Sequence, residues 1–143
     1  MSDTTRVTLR AGERIFLNGA VLKFETRTSF EILNDVPYLL ESEIIHAQQT
    51  VTPLRQLYYI LQTMVMEPTG SEMARGVYID TMRWLMQTFA NPVVLAGLEK
   101  ISKQVDDGSP FQALKTLRTL VPIEDAIMGS NRSAELRVVG AGA

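Results

Sequence analysis

The sequence contains no cysteine and a single histidine, His46. The first absence excludes disulfides, thiol catalysis and Cys-ligated zinc. A lone histidine, with neither cysteine nor a spaced carboxylate pair beside it, is a poor metal ligand or acid–base group, so His46 reads as a surface or junction residue. Long apolar runs are missing as well. Each is broken by Arg, Lys, Glu or Pro well before the ~18 residues of a membrane span, and no charged segment followed by an apolar run opens the chain as a secretory signal would. The expectation is a cytoplasmic protein with no membrane partner.

Catalytic patterns are equally scarce. Gly12 and Gly19 are isolated turn glycines, not a phosphate-binding loop. Asp106-Asp107-Gly108 lacks the further ligands and closing Glu of a calcium loop and reads as a helix terminator. Glu41 and Glu43 would share one face of a strand and read as a solvated edge, since a catalytic carboxylate pair needs a pocket. No serine sits in a nucleophile elbow. The sequence therefore offers no catalytic residue, no metal site and no cofactor site.

Basic residues are few in sum but unevenly placed. The formal net charge is −2, which excludes a whole-surface footprint for nucleic acid. Between Arg6 and Arg27, however, the cations Arg6, Arg10, Arg14, Lys23 and Arg27 face only Glu13 and Glu25. From Thr28 to Pro53 no Lys or Arg occurs, while Glu31, Asp35, Glu41 and Glu43 accumulate. One side of the N-terminal region can thus be locally basic.

What is present is patterned. At 143 residues the chain fits one domain or a small lobe on a larger one. Arg6–Arg10 alternates polar and apolar as a half-buried strand does. Arg14–Leu17 and Ala20–Glu25 flank Asn18-Gly19, the favoured dipeptide of a type I′ hairpin, because both central residues need positive φ. Ser29–Leu33 and Tyr38–Leu40 complete five strands, and 41–48 reads equally as strand or helical turn. After Thr50 the period becomes helical. Thr52-Pro53, Asn91-Pro92 and Ser109-Pro110 each pair a capping side chain with Pro at the first helical position, and Thr69-Gly-Ser-Glu72 has the capping-box pattern. Four helices follow, the last expected to close at Pro122. The fold class is α+β: a small antiparallel five-stranded N-terminal sheet, then a four-helix segment. Residues 6–48 form the strand lobe, 50–127 the helical lobe, and 1–5 and 129–143 are expected to be disordered tails.

Met64, Met66, Met73, Met82 and Met86 crowd the first two helices. Core packing is the default for methionine. Together with Trp84 they cover more than one helix face, which leaves Met64, Met82, Trp84 and Met86 as candidates for a partner-binding groove or a homodimer interface.

Three blocks carry a family resemblance: Thr8-Leu-Arg-Ala-Gly-Glu-Arg-Ile-Phe-Leu-Asn-Gly-Ala-Val21, Leu33-Asn-Asp-Val-Pro-Tyr-Leu-Leu-Glu-Ser-Glu43 and Thr52-Pro-Leu-Arg-Gln-Leu-Tyr58. In this order and spacing the chain resembles the FlbT family, the flagellum-biosynthesis regulators of alphaproteobacteria, over about 6–125. The resemblance implies an RNA-binding repressor that holds the 5′ untranslated leader of flagellin mRNA and lowers its translation or lifetime. It also implies a FlaF-type flagellar regulator acting in the opposite sense. The strand lobe is weakly similar to the carbon-storage regulator fold, through Arg10-Ala-Gly-Glu13, the Asn18-Gly19 turn and Pro37 to Ile44. Arg10 matches that pattern, whereas the late arginine before Glu43 is missing. The expected RNA-binding residues are Arg10, Arg14 and Lys23, supported by Arg6 and Arg27. The alternative is a protein–protein adaptor of flagellum assembly that binds a partner helix through the Met-rich helices, without RNA contact.

Overall fold

The computed structural model describes residues 4–67, 69 and 71–141, with backbone alone for 71 and 130–141. Five strands come first: β1 Thr5–Leu9, β2 Arg14–Leu17, β3 Ala20–Lys23, β4 Thr28–Ile32 and β5 Tyr38–Leu40. Alternation placed them correctly, but they do not form one sheet. β1 and β4 make one antiparallel pair, and β3-β2-β5 make a separate three-stranded antiparallel sheet. The division begins at the first turn. There Glu13 N–H bonds the Arg10 carbonyl (3.0 Å), the Glu13 carboxylate accepts Arg10 N–H (2.9 Å), and Gly12 takes φ +79°. This sharp turn sends β2 into a second layer.

The two sheets bury Val7, Leu9, Ile15 and Ile32 between them. The other face of the three-stranded sheet contributes Phe16 and Leu39 to the helical core, so this sheet is a middle layer used on both sides. The hairpin joining β2 and β3 is the expected one. Leu17 pairs with Ala20, and Asn18 and Gly19 both have positive φ, +47° and +98°, as a type I′ turn requires.

The segment left open by its sequence, 41–48, is taken up by two 3-10 turns, Glu41–Glu43 and Ala47–Gln49. His46 is exposed between them. The buried Gln62 side chain fixes this connection by accepting Ile45 N–H and donating to the Ile45 carbonyl, both at 2.9 Å.

Four helices follow: α1 Pro53–Met66, α2 Ser71–Thr88, α3 Pro92–Asp106 and α4 Pro110–Ala141. Thr52 Oγ1 accepts Arg55 N–H at 3.3 Å. Asn91 Oδ1 accepts the N–H groups of Val93 and Val94 at 2.9 and 3.1 Å, and Ser109 Oγ accepts Gln112 N–H at 3.4 Å. Each cap satisfies a first-turn donor that the helix itself leaves free. The box expected over 69–72 involves Gly70, outside the described residues. Gly108, φ +83°, follows the last turn of α3. Its N–H bonds the Val105 carbonyl and that of Ser109 bonds the Gln104 carbonyl, both 2.9 Å, a Schellman closure that consumes two terminal acceptors.

One boundary differs. α4 does not close at Pro122; the proline lies inside it. A mid-helix proline removes one hydrogen bond and costs about 3 kcal/mol. Here the next turn carries Glu124 and Asp125, whose carboxylates bind the start of α1, and this anchorage holds the helix on course. The backbone of 129–141 continues α4 where a loose tail was expected, and Thr5 already belongs to β1; residues 1–3, 142 and 143 lie outside the described residues. α4 packs against α1 and α3, and α2 packs chiefly on α1. Among the described residues no helix is long and apolar enough to cross a membrane.

Candidate nucleic-acid interface

The strand register decides which cations meet. Arg14 lies directly opposite Lys23 on β2 and β3. Leu9 lies opposite Thr28 on β1 and β4, so Arg10 and Arg27 leave that pair at one common end. Gly12 N–H bonds the Phe24 carbonyl at 2.9 Å, tying the β1–β2 turn to the β3–β4 loop. Arg10, Arg14, Lys23 and Arg27 therefore gather around one end of the strand lobe, all exposed. Arg6 does not join them. It stands on the outer face of the β1–β4 pair, where its Nη1 meets Glu31 Oε1 at 3.3 Å.

Carboxylates accompany the cluster. Arg14 Nε is 3.3 Å from Glu41 Oε1, with both side chains largely exposed. Arg10, Lys23 and Arg27 make no ion pair among the described residues. A shallow surface cavity of about 390 Å³ lies beside the turn, lined by Arg10, Ala11, Gly12, Glu13, Glu41 and Ser42. Exposed ion pairs contribute at most about 1 kcal/mol. Phosphate can thus replace Glu41 on Arg14 at small cost, with a bidentate contact in exchange.

The residues expected to bind a protein partner divide. Met64 and Met82 are buried within the helical core, although Met64 also lines a surface cavity beside Val36, Pro37 and Phe111. Trp84 and Met86 are exposed.

Five charged residues, Glu43, Arg55, Arg118, Glu124 and Asp125, carry more of the architecture than their sequence pattern indicates. Glu43 is not a solvated edge: its carboxylate accepts Leu40 N–H at 2.9 Å and pairs with Arg118 Nη1 at 2.9 Å. The Glu43 carbonyl accepts the Tyr58 hydroxyl, which in turn accepts Arg118 Nε–H at 3.0 Å. Burial pushes the Tyr58 pKa up, and the Arg118 charge partly offsets it. Glu124, wholly buried, accepts Leu54 N–H at 2.8 Å. Beside it Arg55 grips Asp125 through two hydrogen bonds, 2.7 and 2.9 Å. This contact raises the Arg55 pKa and lowers that of Asp125.

The sequence held a signal for two of these. Leu114, Leu117 and Leu120 mark the inward stripe of α4, and Arg118 and Glu124 recur on it at helical spacing, charges where apolar residues belong. The blocks that carry the family resemblance thus include the braces of the strand-to-helix junction: Glu43, Thr52, Arg55 and Tyr58. Among the described residues, no cluster of three His, Cys, Asp or Glu side chains is arranged to hold a metal ion.

The chain matches the family model described as "Flagellar protein FlbT" over residues 5–128. It is similar to the "Probable flagellum biosynthesis repressor protein FlbT" of Chelativorans sp. (strain BNC1), 42% identical over 135 residues, covering 94% of this chain and 93% of that protein. Proteins of the same name from Allorhizobium ampelinum (40% identical over 134 residues, 94% and 90% covered) and Brucella anthropi (42% over 124 residues, 87% and 82% covered) are comparably similar. No solved structure matches the chain.

Proposed function

The chain belongs to the flagellar protein FlbT family, and on that premise we propose that it is a post-transcriptional repressor of flagellin synthesis. In this reading it binds the 5′ untranslated leader of flagellin mRNA in the cytoplasm, lowers its translation or lifetime, and opposes a FlaF-type regulator. Its role is regulatory rather than catalytic.

The observation that supports RNA contact is the convergence of Arg10, Arg14, Lys23 and Arg27 on one end of the strand lobe. That end is exposed, and the ion pair of Arg14 with Glu41 is weak enough to exchange. RNA phosphates are the matching ligand: multiply charged, spaced along a flexible strand and bound by arginine forks. Arg6, engaged with Glu31 on another face, has a minor part.

The test is binding of the purified protein to a flagellin leader RNA across a salt series. Each phosphate contact on a single strand contributes about 0.7 log units of affinity per tenfold salt, so four contacts give a slope of about −3. Replacing Arg10 and Arg14 by Ala weakens binding to all sequences and flattens the slope by about 1.4. Arg6→Ala leaves the slope close to wild type. Wild-type binding that is absent or indifferent to salt overturns the reading, as does a folded double variant that binds as tightly as wild type.

A further inference from the structure

α2 is apolar on both sides. Its inner side, Tyr78, Met82 and Leu85, is buried. Its outer side leaves Met73 82% and Trp84 48% exposed, with Val77, Ile79 and Met86 also open to solvent. A solvent-facing helix side normally carries polar residues, and a contiguous apolar stripe that includes tryptophan marks a contact surface.

We infer that this outer side of α2 is a homodimer interface, in which α2 pairs antiparallel with α2 of a second copy about a two-fold axis passing between Val77 and Tyr78. The argument is self-complementarity. Glu72, Gly76, Ile79 and Arg83 follow one another at four-, three- and four-residue steps and so line one exposed stripe. The two-fold sets Glu72 opposite Arg83 of the second copy, and Gly76 opposite Ile79. Charge meets opposite charge, and the apolar residue of the stripe meets the one without a side chain. The space above Gly76 is open: an added Cβ would meet nothing within 4 Å. Along one flank of the same stripe lie Met73, Val77 and Trp84. Flanks on the same side adjoin in an antiparallel pair, so Val77 falls beside Val77 of the second copy and Met73 beside Trp84, a favourable sulfur–aromatic pairing. Such reciprocity is what an isologous contact requires.

The charge on this side also selects the occupant. Glu72 and Asp80 balance Arg75 and Arg83, so neither a polyanion nor a strongly charged peptide is favoured, while a second copy sets Glu72 against Arg83. A two-helix contact lies at the small end of interface sizes, where reversible association is the expectation.

The experiment is sedimentation of the full chain over a micromolar dilution series without RNA, read together with emission from Trp84, the only tryptophan. Wild type should pass from dimer to monomer on dilution as the emission shifts to the red. Ile79→Asp, at an exposed position, should keep the wild-type helical circular dichroism and remain monomeric. Glu72→Arg or Arg83→Glu alone sets like charges opposite each other and should weaken the dimer about tenfold; the two together should restore it. A wild type that is monomeric throughout the series overturns the inference, even if α2 then proves to bind another protein. So does a dimer indifferent to Ile79→Asp, or a double reversal that fails to restore association.

Discussion

The carboxylate of Glu124 accepts the backbone N–H of Leu54 at 2.8 Å, a contact between residues 70 positions apart, with no solvent access to Glu124. It caps the first turn of α1 from outside. The second carboxylate oxygen lies 3.8 Å from Arg55 Nη1, beyond hydrogen-bond range, and has no hydrogen-bond partner among the described residues. Glu124→Ala strands a buried N–H donor and opens a cavity, and should cost about 2–4 kcal/mol in urea unfolding. Glu124→Gln keeps an acceptor oxygen and should cost clearly less. Equal losses for the two variants would show that the hydrogen bond is not what matters.

The neighbouring Asp125 should make stability pH-dependent. Its hydrogen bonds to Arg55 hold the folded-state pKa below the ordinary carboxylate value. The unfolded chain therefore takes up the proton first as pH falls. The contribution is fully present above the unfolded value of about 4 and is lost as pH drops through the folded one. Asp125 is half exposed, which keeps the contribution within about 1 kcal/mol. The stability difference between wild type and Asp125→Asn should be constant at neutral pH and vanish in acid. A difference that grows on acidification would contradict the pairing.

Gly19→Val should destabilise the protein by about 1–3 kcal/mol, because a β-branched residue would be forced into the left-handed region. The native φ there is +98°. A melting curve identical to wild type would remove the type I′ hairpin from the fold.

Gly97 and Gly129 should respond oppositely to alanine. A Cβ on Gly97 would come within 2.6 Å of the Leu120 methyl groups, whereas one on Gly129 would meet nothing within 4 Å. Gly129→Ala should stabilise by up to about 1 kcal/mol through helix propensity. At Gly97 the same gain is opposed by displacement of Leu120 within the α3–α4 contact, and a net loss of about 1–3 kcal/mol is expected from overpacking. Thermal melts of the two variants decide it; stabilisation at both sites would mean that α3 and α4 are less closely packed.

The elements legible in the sequence are those set by neighbours along the chain. Alternation gave the strands, Asn18-Gly19 the hairpin, and Thr52-Pro53, Asn91-Pro92 and Ser109-Pro110 the helix starts, because turn and cap chemistry act over two to four residues. The clustering of basic residues was visible as composition, but not its geometry. Only strand register could bring Arg10, Arg14, Lys23 and Arg27 to one end and carry Arg6 to another face. Likewise, only packing could separate buried Met64 and Met82 from exposed Trp84 and Met86, since one helix shows several apolar faces until a neighbour chooses among them. Tertiary structure alone also turned Glu43 from a solvated edge into a brace, gave the buried Glu124 its partner and carried α4 past Pro122. Each of these depends on a partner tens of residues away, Arg118 for Glu43 and Leu54 for Glu124. A local pattern records that a residue is charged; what satisfies the charge is fixed only when distant segments meet.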